Sequence, residues 1–176
     1  MSDIVLRDAV DSDLPAIHAI YSHHVLHGLG SFEEVPPTLE EMTRRYRDIK
    51  AKTMPYLVVT QGARVLGYAY AGPYRPRIAY RYTVEDSIYV AHDAAGQGVG
   101  RKLLAELIAR CTAMGFRQMV AVIGDSANLG SIGVHKALGF AMIGNLPSVG
   151  FKFGRWVDSV YMQRALGSGD GTLPEK

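Results

Sequence analysis

The stretch of this 176-residue chain best suited to chemistry is a run of alternating glycines. It reads Val90-Ala91-His92-Asp93-Ala94-Ala95-Gly96-Gln97-Gly98-Val99-Gly100-Arg101, then Lys102-Leu103-Leu104. Glycine lets a backbone approach a ligand closely and adopt dihedrals that other residues resist. The first amides of the helix that follows have no internal partners, and with the helix dipole they form an anion site suited to a pyrophosphate. A Walker A loop needs Ser or Thr after its lysine, but Leu103 follows Lys102. A dinucleotide loop counted from Gly96 needs glycine where Arg101 stands. Both nucleotide readings fail on spacing. What remains is a cradle for another anion or a tight turn without a ligand.

Other side chains with chemical potential are scattered. Glu85 and Asp86 are neighbours on a strand-like stretch, so alternation sends them to opposite faces and to different roles. His135 has an unperturbed pKa of about 6.5, which makes both of its protonation states accessible. Asn128 stands where an N-cap would precede a helix. His18, His23, His24 and His27 fall on one helix. The i, i+4 pair His23 and His27 could share a metal, but no third ligand is evident, and they read as a surface face. Cys111 is the only cysteine, which excludes an internal disulfide and a Cys-based zinc site within one chain. Its helical spacing with Leu107, Ile108 and Met114 makes it a core residue.

The elements that must position these residues follow from periodicity. Residues 3–8 alternate as a strand. Asp11 reads as the N-cap of an amphipathic helix over 12–27, ended by Gly28 and Gly30. The loop Ser31-Phe32-Glu33-Glu34-Val35-Pro36-Pro37 follows. Thr38 and Glu41 form a capping-box pattern for a helix with Leu39, Met42, Tyr46 and Ile49 on its apolar face. Strands are expected at 56–60, 65–72 and 80–90, and a helix at 98–114. A strand at 119–123, a helix at 129–138 and strands at 140–143 and 155–163 complete the pattern, with a Gly-rich, polar and disordered tail from Gly167. Strands and helices mix without repeat or linker, so residues 1–166 form one α/β domain.

Composition sets the outer bounds. Nineteen Lys and Arg against seventeen Asp and Glu give a charge of +2, which makes no case for a nucleic-acid partner. The N-terminal region carries Asp3, Asp8, Asp11 and Asp13 with no apolar run, unlike a signal peptide. No segment approaches the ~18 apolar residues of a membrane span. A cytoplasmic protein without membrane partners is expected.

Several blocks together resemble the GNAT acetyltransferase superfamily. Its phosphate loop reads Q/R-x-x-G-x-G/A, and Ala95-Gly96-Gln97-Gly98-Val99-Gly100 matches except that Ala95 replaces the usual Gln or Arg. Asn128-Leu129-Gly130-Ser131 with His135-Lys136-Ala137-Leu138-Gly139-Phe140 is similar to the family's N-x-x-(A/S)…Y-x-x-L-G-F segment, with His135 in the Tyr position. The blocks Tyr80–Val90, Ala121–Asp125 and Val149–Trp156 resemble the branch that acetylates phosphinothricin, methionine sulfoximine and methionine sulfone.

The resemblance implies a GNAT fold: a twisted mixed sheet flanked by helices, with acetyl-CoA in the cleft beside a splayed, bulged central strand. It implies acetyl transfer by direct attack of an α-amine, with no metal, in a homodimer. Glu85 would be the general base and His135 a proton donor to the leaving thiolate, or else a packed helix histidine. Backbone groups of Ile88, Tyr89 and Val90, the loop Gly96, Gln97, Gly98, Val99, Gly100 and Arg101, and Asn128 would hold the cofactor. Phe32, Glu34, Arg75, Pro76, Arg77, Glu85, Asp86, Ser87 and Lys152 would face the acceptor, Lys152 in its own site or that of a neighbouring subunit, with Arg75 and Arg77 offering forked bonds to its anionic groups. Two rivals remain: the same chemistry on an ordinary amino acid, polyamine or protein N-terminus, and a non-catalytic acyl-CoA sensor.

Overall fold

The computed structural model describes residues 3–174. Its elements in chain order are β1 (Ile4–Asp8), α1 (Leu14–His27), α2 (Leu39–Ala51), β2 (Tyr56–Gln61), β3 (Arg64–Pro73), β4 (Thr83–Val90), α3 (Val99–Ala113), β5 (Gln118–Gly124), α4 (Leu129–Ala137), β6 (Ala141–Lys152) and β7 (Arg155–Ala165). They build one seven-stranded sheet in the order β1-β2-β3-β4-β5-β7-β6. Only the β4–β5 pair is parallel; every other neighbour pair is antiparallel.

Two apolar layers sandwich the first part of the sheet. On one face Leu57, Val59, Ala69 and Val84 pack with Leu103, Leu104, Leu107 and Cys111 of α3. On the other, Tyr56, Val58 and Tyr68 pack with Ile17, Tyr21 and Val25 of α1 and with Met42 and Tyr46 of α2. Burying each such side chain contributes roughly 1.5–3 kcal/mol before conformational entropy is counted. Cys111 is fully buried in this core, and burial pushes its thiol up to about 12, where it is inert as a nucleophile.

Local signals hold with a few corrections. Asp11 does not cap α1; it opens a short 3₁₀ turn, Asp11–Asp13, and α1 begins after it. The carboxylate that works there is Asp13, buried, accepting from the Val10 amide at 2.9 Å and from Arg7. Thr38 caps α2 through the Glu41 amide, but the Glu41 side chain turns to Arg44 and Arg45, so only half of the capping box forms. The strand expected from residue 80 starts at Thr83, after a 3₁₀ turn at Ile78–Tyr80. The strand expected over 140–143 runs twelve residues, to Lys152. Of the tail expected from Gly167, residues up to 174 are described, and there Arg117 donates to the Thr172 carbonyl at 2.8 Å and to Leu173 at 3.2 Å; residues 175 and 176 lie outside the described residues.

Candidate active site

The site begins where the central strands part. β4 and β5 pair from Thr83–Gln118 to Asp86–Ala121, then diverge, although β4 continues to Val90 and β5 to Gly124. The β3–β4 ladder runs in unbroken register, so the gap comes from divergence of β5 and not from a bulge in β4. Hydrogen-bonding direction alternates along an antiparallel ladder. The Tyr74 amide donates to Thr83, and the Ala91 amide to Leu66. Odd-numbered residues of β4 therefore spend their backbone on β3, and Ile88 and Val90 turn theirs toward the gap. The Val90 carbonyl already has a partner, His24 Nε2 at 2.8 Å. Tyr89 departs from the expected cofactor set: its backbone belongs to β3, and its ring packs in the α1 layer.

Beyond the gap, β4 passes through a 3₁₀ turn, His92–Ala94, into the glycine loop. Gly96 and Gly98 both have φ of +78°, with nothing within 4 Å of an added Cβ. The left-handed backbone, not lack of space, selects glycine at these two positions. Gly98 caps α3, whose first internal bond runs from the Lys102 amide to the Gly98 carbonyl at 3.0 Å. The amides of Val99, Gly100 and Arg101 have no partner within the helix. The Val99 side chain is buried in the core and fixes the helix end. Gln97 folds back onto the Asp93 carbonyl at 3.1 Å, so its side chain braces the loop. No acidic residue stands in the first turn of α3, and Arg101 and Lys102 are exposed there. An anion cradle beside a strand with free backbone groups fits a coenzyme A pyrophosphate and pantetheine arm. The fit does not depend on the side chain that Ala95 lacks. Asn128 adopts the capping alternative, its Oδ1 accepting from the Ser131 amide at 3.2 Å.

Glu85 and Asp86 divide as alternation requires. Asp86 points beneath the sheet toward α3 and α4, is buried, and meets His135 Nε2 at 3.0 Å. His135 Nδ1 meets the Ser131 carbonyl at 2.8 Å. A carbonyl only accepts, so Nδ1 carries a proton, and a second proton is shared between Nε2 and Asp86. Burial opposes charge on His135, but the Asp86 hydrogen bond, its charge and the Ser131 carbonyl outweigh burial and raise the imidazole pKa. Both ring nitrogens are committed, so His135 has no N–H free for a leaving thiolate. It is a pillar joining α4 to β4, and Asp86 is part of that pillar, not of the acceptor surface.

Glu85 lies on the opposite face, half-buried. Burial raises its pKa, the nearby Arg75 charge opposes that rise, and Asp86 adds to it. Ser87 shares this face with Tyr70, its partner across the ladder. Around them is a set of phenols that sequence reasoning missed. Tyr70 stacks on Tyr56 at 5.0 Å, Tyr68 on Tyr89 at 5.3 Å, and Tyr21 meets Tyr89 edge-on at 5.0 Å. The signal was available, since Tyr68 and Tyr70 share one face of a strand.

The loop after α1 closes over this chamber, but with Glu33 inward instead of Glu34. Tyr21 donates to Glu33 at 3.1 Å, and Arg45 donates to the same carboxylate at 2.6 Å; Glu34 is exposed. Buried Ser31 bonds Tyr21 at 3.0 Å and accepts from the Glu33 amide at 3.2 Å. The Phe32 ring lies over Gly150 and Gly124. Arg75 is held over the Tyr74 ring at 4.5 Å, close enough for its charge to act on Glu85. Pro76 and Arg77 lie exposed on the same loop. Lys152 is buried and does not face the chamber; it bonds loop carbonyls instead. The His23 ring stacks on His92 at 4.5 Å and lies 4.7 Å from His27. Among the described residues no group of three or more such side chains is arranged to hold a metal.

A forked parallel strand pair, a glycine anion loop and a carboxylate at the fork define an acyl-CoA-dependent transferase. The family model for the acetyltransferase (GNAT) domain matches residues 6–161, and the chain belongs to this family. It is 59% identical over 170 residues to a phosphinothricin N-acetyltransferase of Alcaligenes faecalis, covering 97% of this chain and 86% of that one. It is 43% identical over 162 residues to an L-methionine sulfoximine/L-methionine sulfone acetyltransferase of Pseudomonas aeruginosa, covering 92% and 94%. The crystal structure of a phosphinothricin acetyltransferase from Sinorhizobium meliloti in complex with AcCoA superposes with a TM-score of 0.95 at 49% identity, covering 98% of this chain and 94% of that one.

Proposed function

We propose that this acetyltransferase moves the acetyl group of acetyl-CoA to the α-amine of small amino-acid analogues: phosphinothricin, methionine sulfoximine and methionine sulfone. The observation that carries this reading is Glu85, half-buried at the fork, within reach of the Arg75 charge and near Tyr70, which also feels the Glu33 charge. The amides of Gly96–Arg101 hold the pyrophosphate. The Ile88 and Val90 backbones hold the pantetheine arm and the thioester carbonyl, whose developing negative charge an amide stabilises. Glu85 takes the proton that an α-ammonium must lose before its nitrogen can attack. The amine nitrogen then bonds the carbonyl carbon; as the tetrahedral intermediate collapses the carbon–sulfur bond breaks, and the second proton of the now cationic nitrogen passes to the departing sulfur, which leaves a neutral amide and CoA thiol. The step needs no metal, because an amide supplies the electrophilic assistance and the free amine is nucleophile enough.

Arg75 and Arg77 recognise the acceptor's carboxylate or phosphinate through the guanidinium fork. Replacing both with Ala should raise KM for methionine sulfone about tenfold or more, while its carboxyl methyl ester loses little, since charge-assisted bonds contribute about 1.5–3 kcal/mol. Equal losses on acid and ester would remove this assignment. On this reading the enzyme is cytoplasmic, disarms the herbicide phosphinothricin, and binds neither nucleic acid nor membrane; no described helix is long and apolar enough to cross a bilayer.

The enzyme assembles as a homodimer through the outer strand. β6 leaves Met142, Ile143, Leu146, Val149 and Phe151 exposed, beside Trp156 at 66%. An exposed apolar edge of this length marks an interface. The wild type should sediment as a dimer and Trp156→Glu as a monomer. A monomeric wild type would overturn the assembly, and a dimeric variant would move the interface elsewhere.

A further inference from the structure

Among the described residues, Lys152 is the only Lys or Arg that is buried, at 1% exposure. It ends β6 just before the Phe153-Gly154 turn, where Phe153 takes a left-handed φ of 52°. Its ammonium donates to the Gly28 carbonyl at 2.9 Å and the Ser31 carbonyl at 2.7 Å. Burial lowers its pKa, opposed by the charges of Glu34 and Glu33. Among the described residues no carboxylate lies within ion-pair distance of it. A cation kept under cover by neutral carbonyls is costly, and a shorter apolar residue would serve packing better. What it does hold is the segment carrying Ser31, Phe32 and Glu33.

Two glycines complete the same attachment. A Cβ on Gly150 would lie 2.7 Å from the Phe32 ring, and one on Gly124 would collide with the Leu29 carbonyl oxygen. Loop 28–34 is thus fitted against the ends of β5 and β6 by one buried ammonium and two missing side chains. From there Ser31 and Glu33 pass the constraint to Tyr21 and Arg45.

We infer that Lys152 is a positioning residue that latches loop 28–34 onto the β6–β7 hairpin, and so sets the acceptor wall formed by Phe32 and Glu33. The inference rests on the acceptor lying over Glu85, as proposed above, only for its kinetic consequence; the latch itself is a statement about the loop. Its reach is acceptor selectivity: the hairpin end and the loop act as one unit, while the cofactor cradle on the far side of the fork is untouched.

The test compares Lys152→Met, Lys152→Arg and Gly150→Ala in the full-length protein. Hydrogen exchange of the 28–34 amides should quicken in Lys152→Met and in Gly150→Ala, with α3 and the glycine loop unchanged. KM for methionine sulfone should rise about tenfold or more, with KM for acetyl-CoA held within about twofold. Lys152→Arg, which keeps the donor and its charge, should recover part of that loss. Should Lys152→Met fail to fold, Gly150→Ala carries the same two readouts. Unchanged loop exchange, or acetyl-CoA and acceptor KM rising together, would overturn the latch. A wild type that turns over no amine would overturn the acceptor reading alone, and the exchange experiment would still decide the latch.

Discussion

Replacing Glu85 with Gln should lower kcat by about 10²–10⁴-fold, the range ascribed to a positioned general base, and leave acetyl-CoA binding intact. Gln keeps the shape and a hydrogen-bonding oxygen but takes up no proton at working pH. On the proposed reading the cofactor is held by the Ile88 and Val90 backbone and the glycine loop, so the loss belongs to kcat. The pH profile gives a sharper form of the same expectation. A base acts when deprotonated, so activity rises with pH through the Glu85 pKa. Burial lifts that pKa above the ordinary carboxylate value of 4.5, and Arg75 restrains the rise. Arg75→Ala removes the restraint and should move the acid limb to higher pH. Glu85→Gln should abolish the limb. A Gln variant with wild-type kcat and an unchanged acid limb would remove Glu85 from the chemistry.

Removing Asp86 should cost folding stability, by about 3 kcal/mol at pH 6, near the lower end of what breaking a buried pair costs. The lower end applies because His135 can shed its proton and become neutral, and because the second Asp86 oxygen has no partner among the described residues. The sign with pH follows from linkage. His135 has a raised pKa in the fold. The stability this adds is fully present below its unfolded value of about 6.5 and is lost as pH rises through the raised folded value. Denaturant titrations should therefore show wild type and Asp86→Ala far apart at pH 6 and closer once His135 is neutral in both. Superimposable curves at pH 6 would contradict the pillar. Near-normal kcat per folded Asp86→Asn molecule would agree with a pillar and not with a proton donor at His135.

Legibility followed the range of the physics. Gly98, Val99 and α3 were readable because a strand-to-helix turn with alternating glycines is a local event. The opposite destinations of Glu85 and Asp86 needed only the period of a strand. β6 was legible only to Ile143, because Gly144, Asn145, Pro147, Ser148 and Gly150 break the strand pattern beyond it. An edge strand tolerates such residues, and register shifts at Met142/Gly144 and Leu146/Gly150 absorb them. The His135–Asp86 contact spans 49 residues and the Lys152–Ser31 contact 121, with no local signature for either. The choice of Glu33 over Glu34 depends on Tyr21 and Arg45 arriving from two different helices. The glycine loop and the face on which Glu85 stands could thus be found by pattern, whereas the setting of Phe32 and Glu33 is a product of packing.

The most direct test of the central claim is CoA-thiol release from acetyl-CoA by the wild-type enzyme. The acceptors are phosphinothricin, methionine sulfoximine and methionine sulfone, set against the common amino acids, a polyamine and a short peptide. The site described here should give high turnover on the three tetrahedral sulfur and phosphorus analogues and little on the peptide. Turnover confined to the peptide or polyamine, or none at all while acetyl-CoA remains bound, would contradict it.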